Sequence, residues 1–199
     1  MILPNNTKNK ALTNLMGVVC IDIWEGQYAP SQAWLHNIDK HIDFSQFSSI
    51  IAANYELALD SCNDLCQYNT LEVYSWTDYC PDMLLPMVKE ARQKRTNLWL
   101  KDKFSSNSFL ILDPQSMVNH VNTCVPHITD WFVIGVAWQK CSHFRPLSLT
   151  SMQYLPYNFF VAPWSMYSTS HTLGAKDFET DSLTWIDHGN DLYQLQKKC

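Results

Sequence analysis

Glycine is the scarcest informative residue in this chain, with five in 199 residues. No G-x-G-x-x-G or other glycine-rich phosphate loop can be drawn from so few, which excludes a dinucleotide-binding fold of that kind. Charge is also thin. Asp, Glu, Lys and Arg make up 17% of the chain, against roughly 25% in ordinary domains. What charge there is sums to −5, so no cationic field draws in nucleic acid phosphates. The one basic cluster, residues 89–95, carries Glu90 among its lysines and arginines and reads as a solvated helix face.

A membrane-spanning run is missing too. Residues 146–175 contain no Asp, Glu, Lys or Arg, yet Pro156 and Pro163 interrupt them and Ser, Thr, Asn and Gln are scattered throughout, unlike a spanning helix. The opening MILPNNTKNK has neither a continuous apolar stretch nor a small-residue cleavage site, so no export signal is expected. Seven cysteines, an odd and scattered set, fit a reducing compartment better than a disulfide framework. A cytoplasmic protein is expected.

What the chain does have is apolar side chains, at 46% with eight Trp. That excludes disorder and gives 199 residues enough core for one domain. The scarcity of charge beside so many aromatics predicts a surface covered by a partner, here a second copy of the chain in a homo-oligomer.

Six short apolar runs read as buried strands, at 15–23 (LMGVVCIDI), 49–54, 71–76, 97–100, 131–138 (WFVIGVAW) and 157–162. Runs without polar alternation are typical of parallel sheets covered on both faces. Helices are expected over 86–96, from the Asp113-Pro114 start onward, and within 182–197. Asp113 is suited to the N-cap and Pro114 to the first helical position. Strands alternating with helices predict a doubly wound α/β sheet, in which ligands bind beyond the carboxyl ends of strands.

The chemistry is therefore sought just after each strand. Asp22 ends the first run, Lys101 follows the fourth, and Cys141 lies after the turn that begins at Gly135. A buried acid is costly unless paired or used. A lysine near a cysteine favours the thiolate, and a carboxylate beside them can serve as general base and acid.

The order and spacing of these segments resemble the isochorismatase-like cysteine hydrolases, relatives of nicotinamidases and N-carbamoyl amidohydrolases. GVVCID ends in Asp22, as the family's first strand ends in Asp. Lys101-Asp102-Lys103-Phe104-Ser105-Ser106-Asn107 follows a K-x-R-[FY]-S-A-F pattern, and Gly135-Val136-Ala137-Trp138-Gln139-Lys140-Cys141 keeps the spacing of G-[VL]-A-T-x-x-C. The resemblance spans about residues 12–195 and implies one domain over 1–199, a three-layer sandwich whose central parallel sheet has helices on both faces.

It also implies roles. Cys141 would be the nucleophile and Asp22 the proton carrier, with Lys101 holding them in register. Val136 and Ala137 would form a cis peptide next to the oxyanion hole. Trp24, Phe104, Trp138 and His143 would border the pocket. Where nicotinamidases bind metal through D-x-H, this chain has Asp78 and Cys80, so no metal and no cofactor are expected, these two being the only candidate ligands. Trp24 stands in place of a Gln, and Cys141-Ser142-His143 in place of C-V-x. Two functions follow as expectations. One is hydrolysis of a C–N bond in a small amide or carbamoyl compound through a thioester. The other is a catalytically silent protein that binds a small ligand or a protein partner in the same pocket.

Overall fold

The computed structural model describes residues 15–23, 25–26, 30–54, 95–96 and 98–198. The strands expected at 71–76, the helix over most of 86–96, and Trp24, Asp78 and Cys80 lie outside the described residues.

The strongest apolar run forms the middle of the sheet. β1 (Met16–Ile21) is buried along its whole length and pairs in parallel with β3 (Ser49–Ala53) on one side and β6 (Asp130–Val136) on the other. β2 (Glu25–Gly26) and β4 (Arg95–Thr96) form a separate antiparallel pair. β5 (Ser108–Leu110) extends the main sheet beyond β3, and β7 (Asn158–Val161) extends it beyond β6, both in parallel. A short β8 (Met166–Tyr167) also joins β6 in parallel. β9 (Trp185–Asp187) and β10 (Tyr193–Leu195) close the far edge in antiparallel pairing. The order is β5-β3-β1-β6-β7-β10-β9, so the sheet is mostly parallel and mixed, not wholly parallel as expected.

Alternate residues of β1 enter different cores. Val18 and Cys20 join Leu35 and Ile38 of α1 (Gln32–His41), whereas Val19 and Ile21 join Met117 and Val121 of α3 (Pro114–Cys124). This period of two is what places a buried layer on each side of a strand. The tight β1–β6 approach depends on Gly17, where a Cβ would fall 2.2 Å from Cζ3 of Trp131, its register partner.

The helix start at Asp113 is realised. Asp113 Oδ1 accepts the Ser116 N–H at 2.9 Å, and Pro114 occupies the first turn. Two other assignments are corrected. The strand expected at 97–100 gives way from residue 98 to a helix, α2 (Leu98–Asp102); so short an apolar run has too little length to separate buried helix from strand. Nor do residues 182–197 hold a helix. They form the β9–β10 hairpin around Gly189, Asn190 and Asp191, all at positive φ, a turn chemistry that glycine, asparagine and aspartate tolerate best.

Candidate functional site

β1 and β6 lie side by side, and from them the parallel strands order outward in opposite directions, β3 and β5 one way, β7 the other. This is a topological switch point, where the loops leaving two neighbouring strands part and leave a crevice. The first loop begins with Asp22 and the second carries Cys141.

Asp22 is fully buried. Its φ of 48° turns the chain out of β1 in the left-handed region, which aspartate tolerates better than most side chains, and its N–H donates to the Ala53 carbonyl at 3.2 Å. After β6 the Val136–Ala137 peptide is cis and Gln139 has φ 58°. The resulting turn is tied down by the Trp138 N–H donating to Tyr167 O at 2.7 Å and the Lys140 N–H to Ala137 O at 3.0 Å. α4 (Cys141–Phe144) then begins with the cysteine itself. Gly135 makes room for this arrangement, since a Cβ there would lie 2.6 Å from Ser142 Oγ.

The partner of Asp22 was not legible in advance. Arg145 Nε donates to Asp22 Oδ2 at 2.5 Å, with the carboxylate fully buried and the arginine side chain 32% exposed. Arg145 stands four residues after Cys141, one helical turn on, where i and i+4 share a face. That spacing, C-S-H-F-R, was the signal that could have found it. Lys101 lies on α2, and its side chain is outside the described ones.

Cys141 is half-buried. Burial raises its thiol, as do the negative charge of Asp22 and the hydrogen bond that the thiol donates to that carboxylate; Arg145 and the Ala137 N–H pull the other way, and the result is pushed up to about 11. The thiol is thus held up with its hydrogen aimed at the carboxylate that would receive it. Two backbone donors flank it. The Ala137 N–H faces the sulfur, and the Cys141 N–H, one of the orphan donors of a helix start, meets no acceptor among the described residues.

His143 and Trp138 sit behind the turn. His143 is 3% exposed, and its Nε2 bonds Asp181 at 3.0 Å. Burial pushes Asp181 upward, but the His143, Trp185 and Ser182 contacts outweigh it and hold the carboxyl below its usual range. Trp138 is buried and meets the His143 ring edge-on at 4.9 Å and Phe178 at 5.0 Å. Both side chains thus pack among the aromatics beside the turn. Phe104 borders a cavity of about 520 Å³ together with Asp39, Asp43 and Lys103.

Among the described residues no group of three or more His, Cys, Asp or Glu side chains could hold a metal ion. Asp22, Cys141 and Arg145 thus form a connected acid, thiol and cation, suited to moving one proton between sulfur and carboxylate. No family model matches the chain, and no curated protein or solved structure matches it.

Proposed function

We propose that the chain is a cysteine hydrolase of the isochorismatase-like kind, with that family's three-layer fold, cleaving a C–N bond in a small amide or carbamoyl compound. The reading rests on one observation above all: the Cys141 thiol donates to a buried Asp22 that Arg145 neutralises.

In the first half-reaction Asp22 takes the thiol proton as Cys141 Sγ bonds to the substrate carbonyl carbon. The oxygen gains the electron pair of its π bond and is held by the Ala137 and Cys141 N–H groups. The carbonyl then re-forms, the C–N bond breaks, and Asp22 passes its proton to the departing nitrogen. In the second half-reaction Asp22 removes a proton from water, whose oxygen bonds to the thioester carbon. Collapse expels the sulfur, which recovers the proton. Arg145 offsets the Asp22 charge that otherwise holds the thiol up, alongside the register role the resemblance gives to Lys101.

A silent binding protein is the second reading, favoured by the same thiol being pushed up instead of down. Ammonia release from a panel of small primary amides and N-carbamoyl compounds separates the two. The hydrolase reading expects release from at least one compound, a hydroxylamine-sensitive acyl adduct on Cys141 by mass spectrometry, and background rates in Cys141→Ser and Asp22→Asn. Full activity in Cys141→Ser would rule out covalent catalysis, and a folded wild type with no release across the panel leaves the binding reading.

A further inference from the structure

A second hollow opens close to the Cys141 turn and is lined by a distinct chemistry. Its volume is about 560 Å³, in the range of pockets that enclose a small organic ligand. One wall is α1, through Trp34 and Asn37; another is the 3-10 turn Pro163–Ser165; a third is β8 with the segment 168–173 that follows. These walls are fixed to one another. Trp34 Nε1 donates to the Trp164 carbonyl at 3.0 Å, and the buried Ser165 hydroxyl donates to Val133 O at 2.9 Å. His171 cannot swing freely, because Ser170 Oγ lies 2.8 Å from its Nδ1 and Asp177 Oδ1 2.5 Å from its Nε2.

The lining sorts into two kinds of group. Trp34, Trp164 and Tyr167 are half-buried aromatics, with Trp34 tilted against Tyr167 at a centroid distance of 5.5 Å. The second kind is hydroxyl and amide, from Ser31, Ser168, Thr169, Thr172 and Asn37. Among the described residues no lysine or arginine lines the cavity, and Asp191 adds a carboxylate. Among the described residues, neither Asn37 nor Asp191 makes a side-chain hydrogen bond to the protein. Flat aromatic surface takes a ring face, while a carboxylate and neutral polar groups take hydroxyls. A phosphate or carboxylate entering here meets like charge from Asp191, and among the described residues no lysine or arginine to offset it, His171 being already engaged by Asp177.

We infer that this cavity binds an uncharged ring compound bearing several hydroxyls, a nucleoside or a glycoside, and excludes its phosphorylated forms. Tyr167 connects it to the proposed catalytic turn, since its side chain lines the cavity and its carbonyl holds the Trp138 N–H. The inference stands on the cavity itself and does not require that the chain be a hydrolase.

Titration calorimetry on the full chain, with adenosine, methyl β-glucopyranoside and AMP as separate probes, tests it. Saturable binding by adenosine or by the glucoside is expected, and which of the two binds identifies the source of the ring. AMP is expected to bind roughly tenfold more weakly than adenosine, and Tyr167→Leu to weaken the neutral probe by about tenfold, the worth of one ring stack. Asp191→Asn, in an exposed turn whose positive φ asparagine accepts, narrows the gap between adenosine and AMP without altering the thermal melt. Cys141→Ser leaves all three affinities unchanged, so loss of hydrolysis and loss of binding read out separately. The inference falls if neither neutral probe saturates up to about 10 mM, if AMP binds as tightly as adenosine, or if a folded Tyr167→Leu binds like the wild type.

Discussion

Asp22 acts on Cys141 in two ways that pull against each other, since it accepts the thiol proton and its charge discourages the thiolate. The pH profile of iodoacetamide labelling at Cys141 exposes both. Wild type is expected to label with a midpoint of about 11. Asp22→Asn removes the charge and the hydrogen bond that raise the thiol, so its midpoint falls and labelling at pH 7 becomes faster even as turnover is lost. Arg145→Gln removes the nearby cation, so its midpoint rises and labelling slows. A midpoint that stays fixed in Asp22→Asn would break the link between the two groups. Arg145→Gln also takes an ion pair away from a buried carboxylate. Urea unfolding is expected to show a loss of about 2 kcal/mol, below the 3–5 of a fully buried pair because Arg145 is 32% exposed. At this scale the sequence revealed the acid and the thiol, each standing out against an apolar strand end. It did not reveal the ion pair, because Arg145 looks like any surface cation until two strands bring residue 22 beside it.

Element boundaries show a similar division. α3 was readable because its start is local chemistry, an aspartate cap followed by proline. Asp113→Ala is expected to cost about 1 kcal/mol of stability, seen as a lower urea midpoint with unchanged Cys141 labelling. β1 and β6 were readable because continuous apolar runs of their length need a double-sided burial. α2 was not, since its apolar run of three or four residues fits either secondary structure and only tertiary packing decides. Trp99 Nε1 bonding Asp39 at 3.0 Å and Leu100 in the core are that packing. β9 and β10 carried a signal that was passed over, the Gly189-Asn190-Asp191 turn between two short strands. A further prediction belongs to the turn after β6. Gly135→Ala places a methyl group 2.6 Å from Ser142 Oγ and 3.0 Å from Met166 Sδ, so it is expected to destabilise the fold by about 1–3 kcal/mol. It also displaces α4, so Cys141 labelling changes in Gly135→Ala where Asp113→Ala leaves it alone.

Over the whole molecule, two features bear on assembly: the low charge fraction and an apolar ring left outside. Phe144, three residues past Cys141, is 80% exposed, and Tyr154 is 62% exposed. Pairing of copies over such surface would cover both, and light scattering at micromolar concentration is expected to give a multiple of 23.1 kDa; a mass of 23.1 kDa itself contradicts this. The sheet order has a consequence of another sort, in time. β1 leaves the ribosome before β6, one of its two flanking strands, and Asp22 meets Arg145 only across 123 residues of chain. At translation speeds of about 5–20 residues per second, that interval lasts roughly 6–25 s. Throughout it, the edge of the apolar MGVVCI strand that β6 later occupies awaits that partner, the kind of edge that invites pairing with a neighbouring chain. Asp22 stands at the end of that strand as its first charge, and a charge flanking an apolar strand discourages such pairing. The residue proposed to carry the catalytic proton thus also flanks the nascent strand with charge, and Asp22→Asn is expected to leave more newly made chain in the pellet after cell-free translation.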